Sequence, residues 1–257
     1  MVFSLLSGSS GNATLISENN SLILLDCGAS GKKLSMAIES LGFDCRAIDA
    51  ILLTHEHNDH ITGAGVMSRR FDLPVYATQK TFDAMNVGPI KDANINIVEP
   101  NKKFSVSDIE IMPFSISHDA VDPVGYTFAL KDGKFSLLTD TGVITREMYD
   151  AVYDSKYMIL ESNHDVDMLQ FGSYPYQLKR RILGKTGHLS NNTAAQMAVK
   201  MMENGAEKIM LGHLSNENNT PEIAYKTTEN AIVQDGGIVG RDVVLSVAAR
   251  YEITRLI

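Results

Sequence analysis

The feature that most constrains this chain is a short apolar run followed at once by a cluster of histidines. We interpret residues 50–53 as a buried strand, and His55, His57, Asp59 and His60 follow it closely. A strand end is a rigid support, so a tight turn after it brings alternate side chains to one point. Imidazole and carboxylate groups bind zinc, manganese or iron. Because the chain has only 7 histidines in 257 residues, this spacing predicts a metal site rather than an incidental polar loop.

The number of candidate ligands in this one loop indicates more than a single ion. Four ligand side chains occupy six positions, and one metal centre needs three or four ligands in all. The spacing favours two ions, with His55 and His57 facing one of them. Asp59 and His60 then face the other.

Length and composition are those of one large α/β domain over residues 1–257. Cys27 and Cys45 form neither a disulfide framework nor a Cys-x-x-Cys site, so we expect reduced thiols and a cytoplasmic protein. The apolar start is short and has no basic segment, and no run is long enough to span a membrane. The net charge of -8 disfavours generic electrostatic binding of nucleic acid, although bound cations and a local basic patch can reverse the sign at a site.

The order of predicted elements indicates two sheets packed face to face with helices outside, an α+β sandwich. Strands are predicted at 2–6, 13–17, 22–25, 50–53, 74–77, 95–98, 103–106, 109–114, 125–131, 134–138, 157–160, 208–211 and 243–247. Helices are predicted at 31–41, 63–71, from about 81, at 192–203 and at 221–234.

The remaining histidines also follow apolar runs or lie in turns rather than in the middle of a helix. They are His118, His164, His188 and His213, and Asp140 lies at a predicted strand end. A single histidine of this kind is more often a surface or structural residue than a ligand. Together they favour ligand roles for His118 and His213, because metal sites collect distant residues at one edge of a sheet.

The ordered set of histidines and aspartates resembles the ligand motifs of the metallo-β-lactamase-fold hydrolases. The matching residues are Asp26, the group at 55–60, His118, Asp140 and His213. The resemblance covers nearly the whole chain and implies the αββα four-layer fold. It implies one ion on His55, His57 and His118, and another on Asp59, His60 and His213. Asp140 would bridge them, with a water or hydroxide between.

Shorter motifs resemble the YycJ family, also called WalJ or VicX, of bacterial DNA exonucleases. They are residues 7–12, 161–165, Tyr174 with Pro175, 178–182, 187–191 and 213–219. The resemblance implies a metal-dependent 5′-to-3′ exonuclease acting on DNA, with links to mismatch repair and to a cell-wall two-component system. Residues 188–213 also resemble ribonuclease Z. The chain has no β-CASP insertion and no long arm for transfer RNA.

We assign the remaining chemistry to residues near these motifs. Asp59 would orient the nucleophile, and His188, helped by Glu161, would protonate the leaving oxygen. Candidate substrate contacts are Ser9, Ser10, Asn12, His164, Arg180 and Arg181. The ordinary alternatives are a hairpin turn for residues 9–12, a solvated helix face for the arginines and a structural role for the two histidines.

Three functional classes stay open on the sequence alone. The first is a dinuclear phosphodiesterase that cleaves DNA from a 5′ end. The second is a hydrolase of small molecules, such as cyclic phosphodiesters, thioesters or lactams, or a nuclease of RNA like ribonuclease Z. The third is a metal-bound regulator without activity, which the complete ligand set disfavours. The ligands do not choose between zinc, manganese and iron, and a homo-oligomer is compatible with the sequence.

Overall fold

Two seven-stranded mixed sheets occupy the centre of the computed structural model, which describes residues 1–257. The first sheet contains, in chain order, β1 (Val2–Leu6), β2 (Ala13–Glu18), β3 (Ser21–Leu25), β4 (Ala50–Leu52), β5 (Val75–Ala77), β6 (Ile95–Ile97) and β14 (Thr254–Arg255), with β14 at the edge beside β1. The second contains β7 (Phe104–Val106), β8 (Ile109–Ser115), β9 (Val124–Leu130), β10 (Gly133–Leu138), β11 (Tyr157–Glu161), β12 (Lys208–Gly212) and β13 (Val244–Val247), side by side in that order. Strands β3 to β6 and β10 to β13 run parallel to their neighbours.

Nine α-helices connect these strands. They are α1 (Gly31–Ser40), α2 (Asn58–Ile61), α3 (Ala64–Phe71), α4 (Gln79–Ala84), α5 (Arg146–Val152), α6 (Val166–Phe171), α7 (Tyr176–Ile182), α8 (Asn191–Glu203) and α9 (Pro221–Gln234). Short 3₁₀ turns cover Cys45–Ala47 and Asp92–Asn94. None of the helices combines the length and the apolar composition that crossing a bilayer requires.

The inner faces of the two sheets share one apolar core. In β3, the alternate residues Ile23 and Leu25 point into this core, while Leu22 and Leu24 point to the opposite face. Tyr126 and Phe128 fill the same layer from the second sheet, and both are fully buried. Successive side chains of a strand point to opposite faces, and both faces of these strands are buried. The strands are therefore apolar at nearly every position.

Helices cover the outer face of each sheet and complete the four-layer αββα sandwich that the sequence predicts. Leu34 and Ile38 of α1 pack on the first sheet. Met148 of α5, Ala198 of α8 and Ile232 of α9 pack on the second. The fold class is therefore confirmed.

Most predicted elements agree with the structure within one or two residues at each end. Helix α9 has the predicted bounds, and Ser190 caps α8 by accepting a hydrogen bond from Thr193 N. The sequence analysis did not predict α2, α5, α6, α7 or β14. Four of these are helices of 4 to 7 residues, too short for an apolar periodicity to be visible.

The carboxyl ends of the central strands meet at one edge of the sandwich. Parallel β10, β11 and β12 place Asp140, Glu161 and His213 side by side at this edge. Parallel β3 and β4 place Asp26 and His55 there from the first sheet. The topology thus collects ionisable residues from distant parts of the chain in one place.

Candidate metal centre

Three residues at this edge have a left-handed backbone although none is glycine. The φ angles are 59° at Asp26, 59° at Asp140 and 54° at His213. Such conformations are uncommon for residues with a side chain and persist where the surrounding structure enforces them. Asp26 and His213 directly follow β3 and β12, and Asp140 is the second residue after β10, so each side chain lies at the edge of the sheet.

Three histidines form the first potential ligand group. His55, His57 and His118 each offer one ring nitrogen, and these atoms lie within 4.8 Å of one another. His57 Nδ1 and His118 Nε2 are 3.2 Å apart. His118 Nδ1 faces the carbonyl oxygen of Gly187 at 3.3 Å, which leaves Nε2 for a metal. Burial lowers the pKa of His55 and of His118, so both rings are neutral and competent as ligands.

Asp59, His60 and His213 form the second group. Asp59 Oδ2 lies 3.6 Å from His60 Nε2 and 3.6 Å from His213 Nε2. His60 and His213 are buried, while the Asp59 side chain is 24% exposed. Its carboxylate is therefore the one in this group that solvent and a substrate can reach.

Asp140 lies between the two groups. Its carboxylate oxygens are 3.4 Å from His60 Nε2, 3.4 Å from His213 Nε2 and 3.9 Å from His118 Nε2. Burial raises the pKa of Asp140, but the nearby His213 and His60 outweigh this effect and hold it well below its ordinary value. The carboxylate is thus ionised and lies between the two ligand groups.

A hydrogen-bond network fixes the orientation of His60 from behind. Asp26 Oδ2 lies 2.8 Å from His60 Nδ1, so the ring donates there and presents Nε2 to Asp140. The other oxygen of Asp26 accepts a hydrogen bond from Thr54 N at 2.9 Å. The Thr54 hydroxyl lies 3.0 Å from His55 Nδ1, which leaves Nε2 of that ring free as well. Asp26 has the structural role that the resemblance implies, and Thr54 was not predicted.

Glu161 has the same function on the other side of the centre. Its Oε1 lies 2.8 Å from His188 Nδ1 and 2.9 Å from His213 Nδ1. Its Oε2 accepts hydrogen bonds from Thr141 N and Leu189 N. Burial opposes ionisation, but His188 and His213 lower the pKa of Glu161 to about 2. Glu161 is therefore a permanent carboxylate that orients two histidines, and it cannot itself exchange a proton near neutral pH.

Several buried atoms at the centre have no hydrogen-bond partner within the protein. They include His55 Nε2, His213 Nε2 and Asp140 Oδ2. Orphaned polar atoms cost free energy in a folded protein, and here they converge with ionised carboxylates on the same small volume. Nitrogen and oxygen donors that converge in this way fit divalent cations.

A network of buried amide side chains joins the loops that carry His188 and His213. Asn219 Nδ2 donates to the carbonyl oxygen of Ser162 at 2.8 Å and to Asn191 Oδ1 at 2.8 Å. Asn163 Nδ2 donates to the carbonyl oxygen of His213 at 2.9 Å. These roles were not predicted, because the sequence around an asparagine in a turn does not show which distant residues it contacts in the folded protein.

The predicted substrate contacts are only partly brought together. Ser9 and Arg181 line a cleft beside His188. Ser10 is exposed outside this cleft, and Arg180 lies over the ring of the exposed Tyr176, at 6.0 Å from its centre. The structure therefore does not bring Ser10 or Arg180 into the cleft.

Asn12 and His164 also differ from the predicted picture. Asn12 Nδ2 lies 3.1 Å from His60 Nε2 and 3.4 Å from Asp59 Oδ2, so it contacts the metal loop rather than solvent. His164 is 1% exposed and neither ring nitrogen has a partner. Burial lowers the pKa of His164 to about 4. Its neutral ring lies behind the cleft wall, where a strand could not touch it without a movement of the loop.

A larger groove lies elsewhere. It has a volume of about 670 Å³ and runs between α5 and α8, with Tyr149 and Met197 among its lining residues. Neither His188 nor any residue of the two ligand groups lines it. We therefore locate the chemistry at the smaller cleft, which is lined by His188 and by Asp119, the neighbour of His118.

Comparison with known proteins agrees with this geometry. Residues 22–214 match the beta-lactamase superfamily domain. The chain is 41% identical to exodeoxyribonuclease WalJ of Streptococcus pneumoniae over 93% of its own length and 90% of that protein. It is 38% identical to exodeoxyribonuclease YycJ of Bacillus anthracis, covering 92% and 90%. The metallo-beta-lactamase fold protein YhfI from Bacillus subtilis superposes with a TM-score of 0.73 at 16% identity, covering 99% and 98% of the two chains, which shows the fold alone.

Proposed function

Because this chain belongs to the WalJ and YycJ family of exodeoxyribonucleases within the beta-lactamase superfamily, we propose that it removes nucleotides from 5′ ends of DNA with two divalent cations. The chain is a metal-dependent nuclease by family. The number of cations, the direction of cleavage and the roles of single residues are our proposal. Residues 1–257 would act as one catalytic domain.

Each proposed cation would be held by three side chains and would share Asp140 with the other. His55, His57 and His118 would hold one cation. Asp59, His60 and His213 would hold the second, and both sites suit zinc, manganese or iron. Two such cations would supply an activated water and stabilise charge on the attacking and leaving oxygens of a phosphodiester.

Asp59 and His188 are the two groups that can act on protons in this geometry. The partly exposed Asp59 carboxylate can accept a hydrogen bond from the attacking water and orient it. His188 is 18% exposed and donates Nδ1–H to Glu161, which leaves Nε2 toward the cleft. Nε2 of His188 is therefore the atom that would pass a proton to the leaving oxygen.

The observation that carries this proposal is the convergence of His118, Asp140 and His213 on the loop at 55–60. Those residues are dispersed over more than 150 positions of the chain, and their ligand atoms form overlapping groups within 4.8 Å. Ser9 and Arg181 support a nucleic-acid substrate, since they add a hydroxyl and a cation beside the centre. A local cation of this kind offsets the net charge of -8.

The experiment is digestion of end-labelled DNA by the metal-loaded protein. Duplex and single-stranded DNA, RNA, a cyclic nucleotide and a chromogenic lactam are compared, with Asp140→Asn as the inactive control. Mononucleotides released first from 5′ ends of DNA support the proposal. Faster turnover of RNA or of a small molecule would replace it by one of the two alternative activities. No turnover of any substrate would favour the metal-bound regulator.

The cellular role stays a prediction from the resemblance. Links to mismatch repair or to a cell-wall two-component system would give the exonuclease a physiological DNA end to act on. A homo-oligomer is also a prediction that the sequence leaves open. None of these is needed for the chemistry at the centre.

A further inference from the structure

The cleft beside His188 is lined by both apolar and polar side chains. Its volume is about 180 Å³. Leu178, the buried Ile182 and the ring of Tyr174 are apolar, while Arg181 and Ser9 are polar. His188, the proposed proton donor, lines the same cleft.

Arg181 is held in place but keeps free hydrogen-bond donors. Its Nε donates to the carboxylate of Asp119, the residue after the ligand His118, while neither Nη atom takes part in a hydrogen bond. The hydrogen bond to Asp119 raises the pKa of Arg181. Arg181 and His188 line the same cleft, so the guanidinium lies beside the proposed catalytic centre. A guanidinium with two free nitrogens can bind a phosphate through paired hydrogen bonds.

The volume of the cleft limits what it can hold. Pockets for drug-sized ligands have volumes of about 300–1,000 Å³, so this one suits a single small group. The half-buried ring of Tyr174 offers a face on which one base can stack. A strand that continued through the cleft would meet Leu178 and Ile182.

We propose that this cleft is an end-recognition subsite that takes one terminal nucleotide, with its 5′-phosphate monoester on Arg181 and its base on Tyr174. The inference rests on the proposed exonuclease function and deepens it. A terminal phosphate monoester carries about −1.5 to −2 charges near pH 7, whereas an internal phosphodiester carries one. Because the monoester carries more negative charge, the Arg181 guanidinium favours a phosphorylated end over the interior of a strand.

The test compares two oligonucleotides of one sequence, one with a 5′-phosphate and one with a 5′-hydroxyl. Arg181→Gln removes the charge, and Arg180→Gln is the matched control, because that neighbouring arginine lies over Tyr176 outside the cleft. The wild type should cleave the phosphorylated end about tenfold faster, the value of one charged hydrogen bond. Arg181→Gln should lose this preference and cleave the phosphorylated end no faster than the hydroxyl end. Arg180→Gln should keep the preference.

A second pair of variants tests the base contact. Tyr174→Leu should raise KM about tenfold with kcat little changed, because it removes a stacking face. Tyr174→Phe keeps that face and should behave like the wild type.

The outcomes separate this inference from the proposed function. A wild type that degrades DNA from 5′ ends at equal rates with and without the phosphate would overturn the subsite alone. Equal loss on both ends in Arg181→Gln would also overturn it, since the arginine would then act on the scissile phosphate. A wild type that degrades no DNA would overturn the exonuclease function and the subsite with it.

Discussion

Asp26 accepts a hydrogen bond from His60 Nδ1 at 2.8 Å, across 34 positions of the chain. The two side chains are almost completely buried, so no water competes for either of them. The contact fixes which nitrogen of His60 faces Asp140 and Asp59. A carboxylate that never touches the substrate thus controls the geometry of a proposed metal ligand.

Replacing this carboxylate should weaken metal binding. In Asp26→Asn the single remaining acceptor oxygen cannot serve both His60 Nδ1 and Thr54 N. We expect the affinity for one cation to fall about 10–100-fold. Competition with a chromogenic chelator measures it. Asp49→Asn is the matched control, because Asp49 also accepts from two donors, Leu22 N and the Ser107 hydroxyl, at the opposite end of β4. Equal affinities in the two variants would contradict this expectation.

Glu161→Gln should lower both activity and stability. All four hydrogen-bond partners of the Glu161 carboxylate are donors. In the glutamine variant the NH₂ group would replace one carboxylate oxygen and would face donors instead of acceptors. A buried unsatisfied group costs about 1–3 kcal/mol of the free energy of unfolding. We expect kcat to fall more than tenfold, because His188 and His213 lose their orientation. Glu110→Gln, on an exposed face of β8, is the control. An unchanged kcat in Glu161→Gln would remove the orienting role.

Glu161 and His213 should shape the pH dependence of the free energy of unfolding in the metal-free protein. Glu161 has a pKa of about 2 instead of 4.5, so its stabilisation is present above pH 4.5 and is lost as the pH falls toward 2. His213 has a pKa of about 10 instead of 6.5, so its stabilisation is present below pH 6.5 and is lost as the pH rises toward 10. Denaturant unfolding of chelator-treated protein should therefore show stability that falls as the pH drops from 4.5 toward 2 and as it rises from 6.5 toward 10. A maximum of the free energy of unfolding above pH 8 would contradict the direction expected from the raised pKa of His213.

Gly28→Ala should displace the metal loop. An added Cβ would lie 1.8 Å from the carbonyl oxygen of Asp59 and 2.4 Å from Asn12 N, and both are backbone atoms that cannot turn away. We expect activity to fall at least tenfold, together with a lower midpoint of denaturant unfolding. Gly42→Ala serves for comparison: its Cβ meets nothing within 4 Å, so only its positive φ of 85° costs about 1–2 kcal/mol. Full activity in Gly28→Ala would mean that the metal loop can shift to accommodate the added Cβ, and it would contradict this expectation.

Removal of metal should lower thermal stability. The partnerless atoms His55 Nε2, His213 Nε2 and Asp140 Oδ2 gain a cation only in the folded state. A cation at a thousand times its dissociation constant stabilises by about 4 kcal/mol, or roughly 10 °C in Tm for a chain of this size. Thermal unfolding with zinc, manganese or excess chelator measures the shift. Asp140→Asn should abolish most of it. A Tm independent of added cation would argue against the site.

The loop at 55–60 was predictable because its ligands are contiguous and follow a strand. His118, Asp140 and His213 were predictable as strand-end residues, once the parallel order of β10 to β12 places such ends together. The sandwich itself follows from strands that are apolar on both faces.

Other parts of the site were outside the reach of the sequence. Thr54 and Asp119 act through partners 28 and 62 positions away, and Asn219 acts through loops from two other strands. Tyr174 lines the cleft only because α6 and α7, which are too short to show a periodicity, turn it inward. Contacts of this kind depend on the assembled fold and leave no local pattern.

Each proposed cation takes ligands from both sheets, since residues 55–60 follow β4 while His118, Asp140 and His213 follow strands of the second sheet. Neither of the two proposed sites is complete without ligands from both halves of the sandwich. Release of the ions and separation of the two sheets at this edge are therefore a single equilibrium. A label on one sheet that senses its distance to the other sheet would report on metal occupancy without any substrate.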